Sequence, residues 1–145
     1  MDIKIIQDRD FLSAPCKTYK NVEEGSAIGK QLLEILSQIK SGAGLAANQI
    51  GLDKRVCVIN VTKPLILINP RIIGKFKKIS YTEACLSFPG DYVLTERYEN
   101  IAVKADNHID TLYFGADKNV LECVCVQHEI DHLNGVTMYD RQKGE

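Results

Sequence analysis

The chain carries no excess of either charge. Eighteen Lys and Arg stand against nineteen Asp and Glu, for a formal net charge of −1. Proteins that bind polyanions usually show a basic surplus, so nucleic acid is not an expected partner. Long apolar runs are missing too: stretches such as Leu65 to Ile68 are far too short to span a membrane, and no membrane association is expected. Met1 to Ile6 lacks the pattern of a signal peptide. The five cysteines (Cys16, Cys57, Cys85, Cys123 and Cys125) form an odd set without disulfide-like spacing. They read as reduced thiols, and the expected location is the cytoplasm. With no repeats, low-complexity tracts or linkers, a single domain over residues 1–145 is the simplest organisation. A chain of this length, 45% apolar, buries roughly 70% of its unfolded surface and needs no staples to fold. Histidine is scarce, with three in all, which makes the placement of each one informative.

Among what is present, Ile28, Leu32, Ile35, Leu36 and Ile39 recur at helical spacing and predict a helix over residues 22–41. Asn21 with Glu24 three residues on has the pattern of a capping box, and Gly42 suits a left-handed stop. The small-residue segment 42–49 then reads as flexible. Strands are predicted over 55–61 and 65–69, joined by a hairpin turn at Thr62-Lys63-Pro64. Residues 77–82 and 101–105 alternate apolar and polar, and 109–115 is a further candidate strand after Asp106-Asn107. The last helix is expected from Asn119 or Val120 to Asn134, closed by Gly135. It carries Leu121, Val124 and Cys125 on one apolar stripe and Val126, Ile130 and Leu133 on the next, and a helix apolar around so much of its girth is buried. The expected fold is α+β, with antiparallel β-sheets around a central metal-binding helix and an additional N-terminal helix.

That last helix contains Gln127-His128-Glu129-Ile130-Asp131-His132. His128 and His132, four residues apart, share one helix face. They could be ordinary helix histidines, but leaving two imidazoles uncoordinated beside Val124 and Leu121 costs desolvation. One metal ion answers for both, and H-E-x-x-H is the pattern of metal-assisted hydrolysis. Glu129 could be a solvated carboxylate, as most glutamates are. Adjacent helix residues point about 100° apart, so beside a metal it fits a proton acceptor better than a ligand. For the third ligand the chain offers five cysteines, His108 and many carboxylates. Only thirteen residues follow His132, with Asp140 and Glu145 their only carboxylates, which counts against a downstream ligand of the zincin type. Cys85, at a strand-to-turn position in Glu83-Ala84-Cys85-Leu86-Ser87, is the strongest candidate. Cys57, Cys123 and Cys125 read as small buried hydrophobes, and Cys16 is left open.

Three segments together resemble the peptide deformylase family: Gly42-Ala43-Gly44-Leu45-Ala46-Ala47-Asn48-Gln49, Glu83 to Ser87, and Gln127 to His132. They stand in the family's order, and the similarity runs from Ile5-Ile6-Gln7-Asp8 to Gly135-Val136-Thr137-Met138-Tyr139-Asp140-Arg141. The resemblance implies removal of the formyl group from the N-terminal methionine of new polypeptides, with release of formate. It implies Cys85, His128 and His132 as metal ligands, Glu129 as general base and then acid, and the Gln49 amide with the Leu86 backbone N–H as oxyanion donors. Gly44 would hydrogen-bond an extended substrate, Val124, Cys125 and His128 would line the methionine pocket, and Arg97 would sit near its mouth. The implied cofactor is one divalent ion, iron(II) first, with zinc, nickel and cobalt also suited to the donor set. Partners would be formylmethionyl nascent chains and, through them, the ribosome. A monomer is expected, in bacterial cytoplasm or that of a host if phage-encoded. Ala84 stands where the family has glycine, so the local path differs if that position needs positive φ. Ala43 replaces a larger aliphatic residue, and the chain ends soon after the last motif, as in minimal phage-encoded members. Two other readings are a non-catalytic peptide- or ribosome-binding relative, for which Ala84 alone speaks, and an H-E-x-x-H endopeptidase, against which Cys85 and the missing downstream ligand count.

Overall fold

The computed structural model describes residues 4–17 and 21–144, so Glu145 and the first three residues, part of the stretch read for a leader, lie outside it. The elements run α1 (Arg9–Leu12), α2 (Val22–Ser37), β1 (Gly44–Ala46), a 3-10 turn (Ala47–Ile50), β2 (Val56–Asn60), β3 (Pro64–Ile68), β4 (Arg71–Cys85), β5 (Phe88–Lys104), β6 (Leu112–Gly115), α3 (Ala116–Leu133) and a second 3-10 turn (Met138–Arg141). Two antiparallel sheets form, β1-β2-β3 and β4-β5-β6, and α3 packs against both. This is the α+β arrangement expected. No helix among the described residues is long and apolar enough to cross a membrane.

Strand β2 shows how one sheet serves two helices. Cys57 and Ile59 join the apolar cluster containing Val126, Ile130 and Leu133 of α3. Val56 and Val58 join the cluster containing Leu32 and Leu36 of α2. Successive side chains on a strand face opposite ways, so this sheet lies between the helices with both faces covered. Each fully buried aliphatic side chain there contributes roughly 1.5–3 kcal/mol relative to exposure.

Helix α2 starts as expected, with Asn21 Oδ1 accepting the Glu24 N–H at 3.0 Å. Its buried stripe is Gly25, Gly29, Leu32 and Leu36. The two glycines are packing residues: a Cβ on Gly29 would stand 2.4 Å from Ile66, and one on Gly25 2.9 Å from Ile68. The helix ends at Ser37, earlier than expected. Gly42 is not its left-handed stop, because Gln38 caps it in the right-handed region and the described glycines with positive φ are Gly51, Gly90 and Gly135. The periodicity misleads because Ile39 stays half-buried beyond the helix, in a turn with its N–H on the Leu36 carbonyl. Within segment 42–49, read as flexible, Gly44–Ala46 form a buried strand and Ala47 opens a 3-10 turn. The segment's small side chains permit close packing.

The β4-β5 hairpin is far longer than the two short strands expected. Residues 71–76, ahead of the alternating stretch, are exposed or half-buried, so backbone pairing holds them without an apolar alternation to betray them. Helix α3 bends at Asn119, whose φ of −160° is not helical. The Asn119 side chain then caps the straight portion by accepting the Glu122 N–H, where the start was expected. At the other end Gly135 takes φ +75°, and a Cβ there would lie 2.7 Å from the Ser13 carbonyl oxygen and 2.8 Å from Pro15 N. These are backbone atoms and cannot swing away. Gly135→Ala should therefore cost about 1–2 kcal/mol for the left-handed backbone alone, with the clash added. Thermal unfolding should show a melting temperature lower by roughly 4 °C or more, and an unchanged value would refute this account of the turn.

Candidate metal centre

Strand alternation and helical pitch bring the donors together. β4 ends at Cys85, and the turn Leu86-Ser87 leads into Phe88, which pairs with Cys85. Glu83 and Cys85, two residues apart, are both buried and both meet histidines of α3. Cys85 Sγ lies 3.3 Å from His132 Nε2, which lies 3.1 Å from His128 Nε2. These three donor atoms stand within 4.8 Å of one another, the one such group among the described residues that could hold a metal ion. A tetrahedral ion with bonds of about 2.0–2.3 Å sets its ligand atoms roughly 3.3–3.7 Å apart; the Cys85–His132 spacing falls in that range and the His128–His132 spacing just short of it. Two imidazoles this close do not both carry a proton comfortably. Burial, with His128 beside it, pushes His132 well below the usual range. For His128 burial also opposes charging, but Cys85, Glu129 and Glu83 outweigh it and drive the group well above its usual value. One divalent cation would satisfy both rings at once.

His128 is oriented from behind. Its Nδ1 meets Glu83 Oε1 at 2.8 Å, leaving Nε2 for the centre, the arrangement that fixes a ligating imidazole. Arg97 forks onto Glu83, Nε to Oε2 at 2.5 Å and Nη2 to Oε1 at 2.9 Å, and the Thr95 hydroxyl also donates to Glu83. Arg97 Nη1 reaches Asp131 of α3 at 2.5 Å, and Arg141 forks onto Asp131 at 3.0 Å through Nε and Nη2. Burial alone would raise the Glu83 pKa, but Arg97 and His128 hold it down at about 2. Arg97, expected near the mouth of a methionine pocket, lies behind His128 and is only 2% exposed. Two buried carboxylates claim it.

In front of the donors opens a cavity of about 430 Å³, walled by Gly44, Gln49, Leu86, Val124, Cys125 and Glu129, with Cys85 and His128. Glu129 is 4% exposed, its Oε1 makes no hydrogen bond to a described residue, and burial pushes its pKa up to about 7. Gln49 is held at both ends of its amide. Its Oε1 accepts the Ala46 N–H at 2.9 Å, and its Nε2 donates to Ser87 Oγ at 3.0 Å, with Cys85 Sγ at 3.8 Å. Gly44 stands so close to α3 that a Cβ would lie 2.7 Å from both Cys125 Sγ and Glu129 Oε2. Ala43 and Ala84 also line the cavity.

Other candidate ligands lie elsewhere. His108 Nε2 meets the Ile66 carbonyl, and Asp140 accepts from Thr137. All five cysteines are free and buried. Cys57 and Cys123 sit in the apolar core as expected, and Cys16 joins them, its thiol pushed up to about 11 chiefly by burial. Sequence reasoning quoted Glu83 and Asp131 inside the motifs but gave them no part. The signal was there: Glu83 shares a strand face with Cys85, and Asp131 falls three residues after His128, near it on the helix surface.

An α+β protein built round a mononuclear metal-binding helix is the class these observations define. The profile of the family Polypeptide deformylase matches residues 2–145, and the chain belongs to that family. A peptide deformylase of Hydrogenovibrio crunogenus is 42% identical over 108 residues, covering 71% of this chain and 63% of that protein. The chain therefore aligns with somewhat less than two thirds of that relative's length. A peptide deformylase from Synechococcus elongatus, solved in complex with actinonin, superposes with a TM-score of 0.85 at 34% identity, covering 100% of this chain and 80% of the other. A probable peptide deformylase from Synechococcus phage S-SSM7 gives a TM-score of 0.80 at 30% identity, covering 97% and 99%.

Removing Arg97 takes the guanidinium from buried Glu83 and one of the two from Asp131, which keeps Arg141. Arg97→Ala should cost about 3–5 kcal/mol, read as a lower urea midpoint with unchanged slope. Arg97→Lys should recover only part of the loss, because an ammonium lacks the fork. A loss within experimental error for Arg97→Ala would contradict this assignment.

Proposed function

We propose that this protein is a metal-dependent peptide deformylase, removing the formyl group from the N-terminal methionine of new polypeptides and releasing formate. The observation that carries the reading is the convergence on one cavity of three metal donors, a carboxylate raised to about 7 and a fixed carboxamide. Cys85, His128 and His132 would hold one divalent ion, which we assign as iron(II) on the family resemblance, with zinc, nickel and cobalt compatible. Bound there, it supplies Lewis acidity, lowering the pKa of water to about 7 and polarising a carbonyl.

The chain's own residues do the rest. Glu129, buried and without a protein partner on Oε1, takes the proton from the attacking water and passes it to the leaving amine. The Gln49 amide and the Leu86 N–H stabilise the negative oxygen that develops on the formyl carbon. Strand β1 lies at the edge of its sheet and borders the cavity through Gly44, so an extended substrate can align along it. Val124 and Cys125, with Leu121 at the rim, offer an apolar wall for the methionine side chain. By the same reading the protein works as a monomer on nascent chains at the ribosome, in bacterial or host cytoplasm.

Protein loaded with iron(II), nickel or cobalt should release formate from formylmethionyl peptides and leave casein intact. Folded, loaded protein that releases none would overturn the reading, and casein cleavage would favour the endopeptidase. Glu129→Ala should keep its metal stoichiometry while turnover falls by about 10²–10⁴. Gln49→Ala should lower kcat by about 10²–10³ with KM little changed. If either variant kept full turnover, that residue's role would be wrong.

A further inference from the structure

A different stripe of α3 walls a second cavity of about 410 Å³, nearly the volume of the first. Its lining includes Arg55, Arg71, Lys75, Arg97 and Arg141 against two carboxylates, Glu96 and Asp131. Three of the five cations are already answered. Arg97 and Arg141 share Asp131, and Arg71 lies 3.7 Å from Asp106. Glu96 is engaged by Lys78 at 3.2 Å.

Arg55 and Lys75 have only neutral partners. Arg55 donates to the Leu133 carbonyl, Asn134 Oδ1 and the Pro70 carbonyl. Those bonds use three of the five N–H groups of a guanidinium, leaving two. Lys75 Nζ stands 4.9 Å from the centroid of the Tyr98 ring. Among the described residues neither cation has a carboxylate within 4.0 Å. Like charges on the walls of one concave cavity focus a positive potential and favour an anion from solution. Pro70, Ile72 and Ile130 supply apolar wall beside them, and the volume suits a small molecule.

We propose that this cavity is a second binding site, for a small phosphomonoester. Its phosphate pairs with Arg55 and Lys75, and its organic part rests on Pro70, Ile72 and Ile130. Phosphate fits better than a lone carboxylate because a guanidinium and an ammonium reach it from separate segments of chain, Arg55 just before β2 and Lys75 within β4. Arg55 also holds the Leu133 carbonyl at the end of α3, next to His132, so occupancy braces the end of the helix that carries the donors.

The test uses metal-loaded protein at fixed ionic strength, with thermal unfolding and titration calorimetry against inorganic phosphate, glycerol 3-phosphate and adenosine monophosphate. The melting temperature should rise with phosphate concentration above a chloride control. Lys75→Glu, an exposed position, should weaken affinity at least tenfold while leaving formate release unchanged. Lys30→Glu, on the exposed face of α2, should bind as wild type. Tighter binding of an ester than of phosphate identifies an organic ligand, and equal binding identifies free phosphate; both uphold the site. No heat and no shift with all three probes, or a Kd unchanged in Lys75→Glu, would overturn it.

Discussion

Glu83 is a carboxylate buried where a hairpin meets a helix, and the geometry of the centre follows from compensating it. Moving a charge out of water costs several kcal/mol even after relaxation. Arg97 answers Glu83, Asp131 answers the rest of Arg97, and Arg141 completes Asp131 near the surface. Two cations and two anions leave this chain of contacts neutral. Its net contribution to stability is small by that reasoning, yet its directional demand is strict. Glu83 sits on β4, Arg97 on β5 and Asp131 on α3, so one guanidinium fixes three elements against each other. Cys85, two residues beyond Glu83, is thereby delivered to His132, and His128 is held by its far nitrogen.

The same accounting explains how α3 can be buried although half of its central turns are polar. From Cys123 to Leu133 every residue is buried, and among them are Gln127, His128, Glu129, Asp131 and His132. Buried polar groups need partners, and Gln127, His128 and Asp131 find theirs on the second sheet, whereas Glu129 Oε1 and His132 Nδ1 have none among the described residues. Strand β6 pairs with β5 only over residues 100–103. Beyond it, the Gln127 amide accepts the Tyr98 N–H and donates to the Tyr98 carbonyl, each at 2.9 Å. One side chain thus stands in for a strand, closing an edge that β6 leaves open and tying α3 to β5 at the residue before His128. The apolar stripes through Val126, Ile130 and Leu133 account for only part of the helix's burial.

What could be read from the chain follows from how local each signal is. The spacing of His128 and His132, the cap at Asn21 and the start of α3's straight portion near Asn119 depend on a few neighbouring residues, and all three stand in the structure as expected. The α+β class was legible for the same reason, since two helical patterns and several short alternations were visible separately. The length of β4 and β5 was not, because their outer portions, such as Lys75 to Lys78, are exposed and carry no apolar period. Arg97's place behind His128 was not legible because it depends on Glu83 and Asp131, fourteen and thirty-four residues away. The order in segment 42–49 was also missed. Small residues look alike in sequence whether they loosen a chain or let two elements touch.

That ambiguity is resolved differently at the two small residues beside the donors. At Gly44 the methyl group of an alanine would collide with Glu129 and Cys125, both on the helix that the buried ion pairs hold in place. Helix α3 cannot retreat without straining Asp131 against Arg97, so β1 is as close as it is because Gly44 has no side chain. At Ala84 the extra methyl group is exposed. Among the described non-glycine residues positive φ occurs only at Asn69 and Lys77, so Ala84 lies on an ordinary backbone path and no strain arises there. Strand alternation turns Ala84 outward while its two neighbours face α3. The departure from glycine therefore alters the wall of the cavity and leaves the donors where they are, whereas the glycine of β1 is required by the distance between a strand and a helix that neither can change.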